Sequence, residues 1–271
     1  MPEILTAASI PLASIDSIIW SHHHAEHTGD PSLFPPTTSL VVGPGFKSNP
    51  STYPGFPINP DAHVPHTAFQ GRDLIELDFS TGGVLKVGGL RAIDWFDDGS
   101  LYLIEAPGHA PEHLMALART SADKFVLLAG DAADHAGIFR PSPLRPLPDT
   151  VSPSPFETTL LEHVHPSSSS SFRTTPFYEP TPFRMPDPAA GHKTLGALQA
   201  FDASPHVFVV LAHDPAFRES RAHFPAADFA RWEEASGEDA SAGHYSRKDA
   251  AHWRFLGDFQ KGVEERRGAA V

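Results

Sequence analysis

The sequence predicts an α/β or α+β fold, and two features support this prediction. Short apolar runs alternate with segments rich in Pro, Gly and Asn, which is typical of buried strands separated by loops. Several runs end close to a His or an Asp: His22 lies two residues after the run Ser17–Trp20, and Asp131 lies two residues after the run Phe125–Ala129. Side chains that follow a strand are held rigidly, so this recurrence indicates a functional site beside a sheet.

The N-terminal region is expected to contain a short helix, two strands and a long loop. The helix covers Pro2 to about Ser9, and the strands are Ser17–Trp20 and Leu40–Val42. Between the strands, Asp30 and the following Pro resemble an N-cap and a first helical position, so a short turn of helix is expected there. Residues 46–70, rich in Pro, Gly, Asn and His, are predicted to form a surface loop.

More strands are expected after residue 70. They are Asp73–Phe79, Gly83–Val87, Leu101–Glu105, Phe125–Ala129 and Val207–Leu211. The turn Asp97–Gly99 precedes Leu101–Glu105. Leu114–Arg119 stays open between helix and strand, because its residues favour a helix whereas its position favours a strand.

The C-terminal half combines helices with one irregular stretch. Thr194–Phe201 is predicted to be an amphipathic helix, and Trp253, Leu256 and Phe259 also recur at helical spacing. Residues 140–190 are dense in Pro and contain a run of Ser, so they are expected to contribute little to the core. The chain is therefore predicted to be a single domain over 1–271 with a Pro/Ser-rich irregular excursion at about 140–190.

Composition narrows the classes of function. The formal net charge is −13, which disfavours nucleic acid and anionic membrane surfaces as partners. No apolar run reaches about 18 residues, and the N-terminus has no basic and apolar leader, so a cytoplasmic location is expected. With no cysteines, any metal must be bound by His, Asp or Glu.

The segment after the first strand carries the pattern His-x-His-x-Glu-His. In an extended segment, residues at i and i+2 face the same side, so His22 and His24 can bind one metal together. Glu26 and His27 come from the turn that follows and can bind a neighbouring metal. Imidazole and carboxylate ligands suit zinc, and also manganese, iron or cobalt. Because the chain has 17 His, an accidental cluster stays open at this point.

This segment resembles the signature of the metallo-β-lactamase superfamily, His-x-His-x-Asp-His. The family has three further ligands in a set order: a His after Pro-Gly, an Asp after Gly, and a late His. The chain offers His109, Asp131 and His213 in this order and in these contexts. The resemblance covers about residues 16–215 and implies the family's four-layer αβ/βα sandwich.

The resemblance also implies roles for these side chains. The first metal would be bound by His22, His24 and His109, the second by Glu26, His27 and His213, with Asp131 bridging both. The implied cofactor is one or two Zn²⁺ ions, with Mn, Fe or Co as alternatives. Two adjacent cations lower the pKa of bound water and stabilise an oxyanion. Asp131 and Glu26 are the carboxylates expected to take part in catalysis, Asp131 by moving a proton.

Two features depart from the family pattern. Glu26 stands where the family usually has Asp, and metal–ligand distances tolerate only about 0.2 Å, so the second metal is expected to bind weakly or not at all. Only about 20 residues precede the first motif, whereas the family's domain begins with several strands. Some N-terminal strands are therefore expected to be lacking. The exposed edge that results favours a homodimer.

Finer similarity is to fungal lactonase-like members, through Trp20–His24, Val41–Lys47, Asp97–Leu103 and Phe139–Ser142. It implies that the substrate is a small lactone or ester, such as an acyl-homoserine lactone. Two alternatives stay open: a thioesterase of the glyoxalase II type, and a truncated, inactive relative that binds metal without turnover.

Several other polar residues have weaker expectations. His23 lies between two ligands and is expected to point away from the metal, whereas Asp134 and His135 are expected to support the pocket. Asp214 is expected to orient the late His. Five loop histidines are predicted to be exposed: His63, His66, His163, His165 and His192.

Overall fold

The computed structural model describes residues 2–151, 158–167, 171–214 and 252–269. Within these ranges, the strands form two sheets that share a mixed α/β architecture. The smaller sheet holds three parallel strands, β1 (Ser17–Ile19), β2 (Ser39–Val42) and β3 (Leu74–Glu76), in the order β1-β2-β3. The short helix α1 (Pro2–Ala7) precedes them, as predicted.

The larger sheet has six strands in sequential order. They are β4 (Leu85–Val87), β5 (Leu90–Asp94), β6 (Leu101–Glu105), β7 (Leu114–Ser121), β8 (Lys124–Leu128) and β9 (Val207–Val210). Neighbouring strands are antiparallel except β8 and β9, which are parallel. The open question at Leu114–Arg119 is settled in favour of a strand, because β6 and β8 pair with both of its edges and outweigh its helix propensity.

The main core lies between the larger sheet and helix α3 (Pro188–Ala203). The Asp187 side chain accepts a hydrogen bond from the Ala190 amide at 3.0 Å, and Pro188 occupies the first turn. The helix therefore begins six residues before the predicted Thr194. Its inner side packs Leu195, Leu198 and Phe201 into the core, as the helical spacing predicted.

The irregular stretch 140–190 contributes to this core, so the prediction that it is a poor core former is wrong. Its buried apolar side chains are Leu147, Leu161, Phe172, Phe177 and Met185. His165, predicted to be exposed, is also buried, and its Nε2 donates to the Thr175 carbonyl at 2.9 Å. Single apolar residues between prolines can thus pack without a periodic pattern. Residues 152–157 and 168–170 of this stretch lie outside the described ranges.

A buried ion pair fastens the C-terminal part to the core. Arg140 Nη2 lies 2.6 Å from Asp202 Oδ1, and Arg140 Nη1 donates to the His252 carbonyl at 3.1 Å. The chain then continues through a 3-10 helix (Arg254–Phe259) into helix α4 (Gln260–Ala269). The predicted helical spacing after Trp253 therefore falls on helical structure. No helix in the described ranges is long and apolar enough to cross a membrane.

The smaller sheet covers only part of the inner face of the larger one. Val41 packs against Leu103 and Leu114, whereas Leu128 is 47% exposed. A cavity of about 460 Å³ opens between the sheets at the uncovered side. Among the described strands, β1 pairs only with β2, so its other edge is free. The small sheet is therefore open, as the sequence predicted.

Candidate metal centre

Four loops bring the predicted ligands together beside the two sheets. His22 and His24 directly follow β1, and the short helix α2 (Ala25–Thr28) carries the next two ligands. His109 lies in the loop between β6 and β7. The other two predicted ligands lie just after β8 and β9, which are parallel neighbours. The carboxyl ends of these two strands therefore point to the same edge, and their loops meet there.

The first group of ligands consists of His22, His24, His109 and Asp131. One ligand atom from each lies within 4.8 Å of every other. His109 Nε2 is 3.2 Å from His22 Nε2 and 3.0 Å from His24 Nδ1. Three of these residues are buried and His24 is half-buried. The group is thus compact and shielded from solvent.

The second group consists of Glu26, His27 and His213, whose ligand atoms also lie within 4.8 Å of one another. Glu26 and His213 are exposed and His27 is half-buried. Asp131 Oδ2 lies 3.2 Å from both His27 Nε2 and His213 Nε2, and 3.4 Å from His109 Nε2. The Asp131 carboxylate therefore stands between the two groups.

The protonation of the first group suits a cation. His109 Nδ1 lies 2.8 Å from the Arg184 carbonyl, which can only accept, so this nitrogen carries the proton. The Nε2 lone pair then faces the two other imidazoles. Burial, followed by neighbouring histidines, lowers the pKa of His22, and it lowers the pKa of His24 as well. Neutral imidazoles whose lone pairs converge repel one another unless a cation lies between them.

Unpaired polar atoms support the same conclusion. Both Asp131 carboxylate oxygens and His27 Nε2 are buried without a well-aligned hydrogen bond in the described chain. Such groups are costly to bury without a partner. Two ligands of a tetrahedral zinc ion are roughly 3.3 Å apart, similar to the nitrogen spacings of the first group. The residues present therefore fit a divalent metal ion.

The ionisation state of the Asp131 carboxyl group follows from its surroundings. Burial alone would raise the pKa of Asp131, but His27, followed by His22 and His213, outweighs burial and lowers it. The carboxylate is therefore ionised. Asp134 behaves in the opposite way, since burial raises its pKa despite the nearby Arg184. Its Oδ2 lies 3.7 Å from Arg184 Nε, and it belongs to neither ligand group.

For two further histidines, the structure confirms one prediction and contradicts the other. His23 points away from both ligand groups, as predicted, and contacts Glu112. His135 was expected to support the pocket, and this is wrong. Its Nε2 lies 2.8 Å from Asp258 Oδ2, and its Nδ1 accepts from the Gly137 amide, so the ring contacts the C-terminal segment instead.

Two residues next to the site were missed from the sequence. His113 is fully buried, and its Nε2 accepts a hydrogen bond from the Asp131 amide at 3.0 Å. Gly130 has φ +54°, and a Cβ there would lie 2.8 Å from His113 Nε2, so glycine is required beside this ring. Glu112 holds His23. The available signal was a second His four residues after His109, within the same loop.

Two known proteins are similar to this chain in sequence. A gamma-lactamase of Gibberella moniliformis is 48% identical over 179 residues, which is 63% of this chain and 73% of the relative. A metallo-hydrolase of Annulohypoxylon moriforme is 36% identical over 286 residues, which is 99% of this chain and 70% of the relative. The chain belongs to the metallo-β-lactamase superfamily.

A second relative is also named a gamma-lactamase. The gamma-lactamase of Fusarium pseudograminearum is 45% identical over 214 residues, or 75% of this chain, and the matched part spans about half (51%) of that relative. A solved quorum-quenching N-acyl homoserine lactone lactonase shares the fold, with a TM-score of 0.50 and 16% identity over 81% of this chain and 66% of that one. No family model matches the chain.

Proposed function

We propose that this chain is a metal-dependent hydrolase that opens a small lactone or a related cyclic amide. The observation that carries the proposal is the position of the ionised Asp131 between two groups of convergent ligands, 3.2 to 3.4 Å from three imidazole nitrogens. The names of the similar proteins support the substrate class, since they include gamma-lactamases and an N-acyl homoserine lactonase. A γ-lactam is therefore the second candidate substrate.

The proposed ligands are those predicted from the sequence. His22, His24 and His109 would hold one divalent ion and Glu26, His27 and His213 a second, with Asp131 lying between the two groups. We propose zinc, with manganese, iron or cobalt as substitutes. When bound, such ions activate water and polarise the substrate carbonyl.

The chain's own residues supply the remaining chemistry. Burial lowers the pKa of His22 and of His24, so these two imidazoles are neutral and can act as ligands instead of repelling a cation. Asp131 is ionised, and its carboxylate has no well-aligned hydrogen bond among the described residues, so its Oδ2 can accept a proton from the attacking water. The same oxygen can return that proton to the leaving oxygen or nitrogen when the ring opens. Glu26 is exposed, with a pKa lowered by a backbone hydrogen bond, and adds negative charge to the second group.

One exposed aromatic side chain is a candidate contact for the substrate. Phe183 is 84% exposed and precedes Arg184, whose carbonyl accepts a hydrogen bond from His109 Nδ1. We propose that this ring packs against the apolar part of a small substrate. We propose that neither a nucleic acid nor a membrane is a partner of this chain. The free edge of β1 favours a homodimer, which analytical ultracentrifugation can test.

The direct test is hydrolysis by the protein loaded with zinc. A panel of N-acyl homoserine lactones, γ-lactams, a linear ester and a glutathione thioester is followed by chromatography, with Asp131→Asn as the inactive control. Ring opening of a lactone or lactam, lost in the variant and after chelation, is expected. Turnover of only the thioester would favour a thioesterase of the glyoxalase II type. Bound metal without any turnover would favour an inactive relative.

A further inference from the structure

Glu112 is a buried carboxylate that makes its contacts close to the metal centre without belonging to either ligand group. It is 1% exposed and lies in the loop that carries His109. Its Oε1 accepts a hydrogen bond from the His23 amide at 3.3 Å and makes a short contact with His23 Nδ1. Its Oε2 is buried and has no hydrogen-bond partner in the described ranges.

His23, the partner of Glu112, lies in the sequence between His22 and His24, two proposed ligands of the first metal. The contact therefore joins the loop after β1 to the loop after β6, which carries the third histidine. The hydrogen bond from the Leu114 amide to the Ser21 carbonyl, at 2.8 Å, joins the same two segments by backbone alone. Glu112 adds a side-chain connection close to the ligands themselves.

Stability alone is a poor explanation for this pair. Burying a carboxylate is costly, and replacing a buried polar pair by apolar groups of similar volume is often neutral or stabilising. The packing here is also tight, because a Cβ on Gly43 would lie 1.9 Å from the Glu112 carbonyl oxygen. A costly charged group in a tightly packed place suggests a requirement for geometry. The ligands on either side of His23 have such a requirement, since metal–ligand distances tolerate only about 0.2 Å.

We propose that Glu112 is a positioning residue that acts through His23. It sets the spacing of His22 and His24 relative to His109, so that the first metal site is formed before the ion arrives. The proposal rests on the metal centre described under the proposed function. It assigns no ligand role and no proton transfer to Glu112.

The test measures metal binding, independently of turnover. Zinc affinity is obtained by competition with a chromophoric chelator, and the coordination geometry is followed by the visible absorption of the cobalt-loaded protein. Glu112→Ala is expected to weaken the tighter site by about 10- to 100-fold, which is typical when the support of a metal ligand is removed. Glu112→Gln keeps an acceptor oxygen for the His23 amide and is expected to recover most of the affinity.

A matched control removes another carboxylate that accepts hydrogen bonds from backbone amides. Glu76 accepts hydrogen bonds from the Gly45 amide at 2.9 Å and the Lys47 amide at 2.7 Å, and it belongs to neither ligand group. Glu76→Ala is expected to lower Tm without changing zinc affinity. An equal loss of affinity in this control would reduce the role of Glu112 to general stability and overturn the proposal.

A double variant separates positioning from folding. Removing both partners in Glu112→Ala/His23→Ala leaves neither side chain buried without its hydrogen-bond partner, so Tm is expected to recover relative to Glu112→Ala. Zinc affinity is expected to stay low, because the connection between the loops is still missing. Parent-like affinity in the double variant, or in Glu112→Ala itself, contradicts the proposal. Failure of the parent protein to bind metal contradicts the proposed function instead.

Discussion

The two ligand groups of the candidate centre have similar chemistry but are held very differently. In the first group, His109 is fixed by the Arg184 carbonyl and Asp131 by His113, and most of the side chains are buried. In the second group, Glu26 is exposed and the side chain of His213 is 40% exposed. His213 also lies next to residues 215–251, which are outside the described ranges.

The two groups differ in preorganisation, that is, in how firmly their side chains are held before an ion binds. A ligand already held in place loses little conformational entropy when it binds an ion, whereas an exposed side chain must first be ordered. The first site is therefore expected to bind its metal tightly and the second to bind more weakly. The longer side chain at Glu26 acts in the same direction.

The largest effect is expected for Asp131→Asn. The substitution removes the negative charge next to both groups, so both metals should bind more weakly and turnover should fall by about 10³-fold or more. Elemental analysis and lactone turnover check this result. The variant conserves shape, so Tm of the metal-free protein should change little. Retention of two metals and near-parent turnover would remove Asp131 from the centre.

A smaller and more selective effect is expected for His213→Ala. Only the exposed group loses a ligand, so the second metal should be lost while the affinity of the first changes by less than about threefold. Metal content should fall to about one ion per chain, with turnover reduced by roughly 10- to 100-fold. Calorimetric titration with zinc measures both sites in one experiment. Loss of the first metal as well would show that the two groups are not independent.

The smallest effect is expected for Glu26→Asp, which introduces the residue usual in the family. The shorter carboxylate should strengthen the second site by a few-fold, up to about tenfold, and leave the first unchanged. The same zinc titration detects this shift. A weaker second site in the variant would mean that the local backbone is built for the longer Glu26 side chain.

The residues that cluster in the two groups could be picked out from the sequence because they occur in short motifs. His22 and His24 share a strand-like spacing, and His109 and Asp131 follow recognisable glycine-containing turns. Most strands were also predicted, since each is a short apolar run. The strand β5 was missed because Arg91 and Asp94 interrupt its apolar residues, and pairing with β4 and β6 decides its conformation.

The supporting residues were harder to predict, because their roles depend on contacts far apart in sequence. Glu112 and His23 are separated by 89 positions, and His113 and Asp131 by 18. The packing of Leu161 and Phe177 in the irregular stretch likewise depends on distant partners. Local patterns indicate candidate ligands, whereas contacts such as those of Glu112 and His113 are visible only in three dimensions.

The most direct test of the difference between the two groups is a zinc titration of the metal-free parent protein. Two sequential binding events are expected, with the first at least about tenfold tighter than the second and abolished by His109→Ala. Lactone or lactam hydrolysis should appear as these sites fill. Two sites of equal affinity would contradict the ranking by preorganisation, and no binding at all would contradict the metal centre itself.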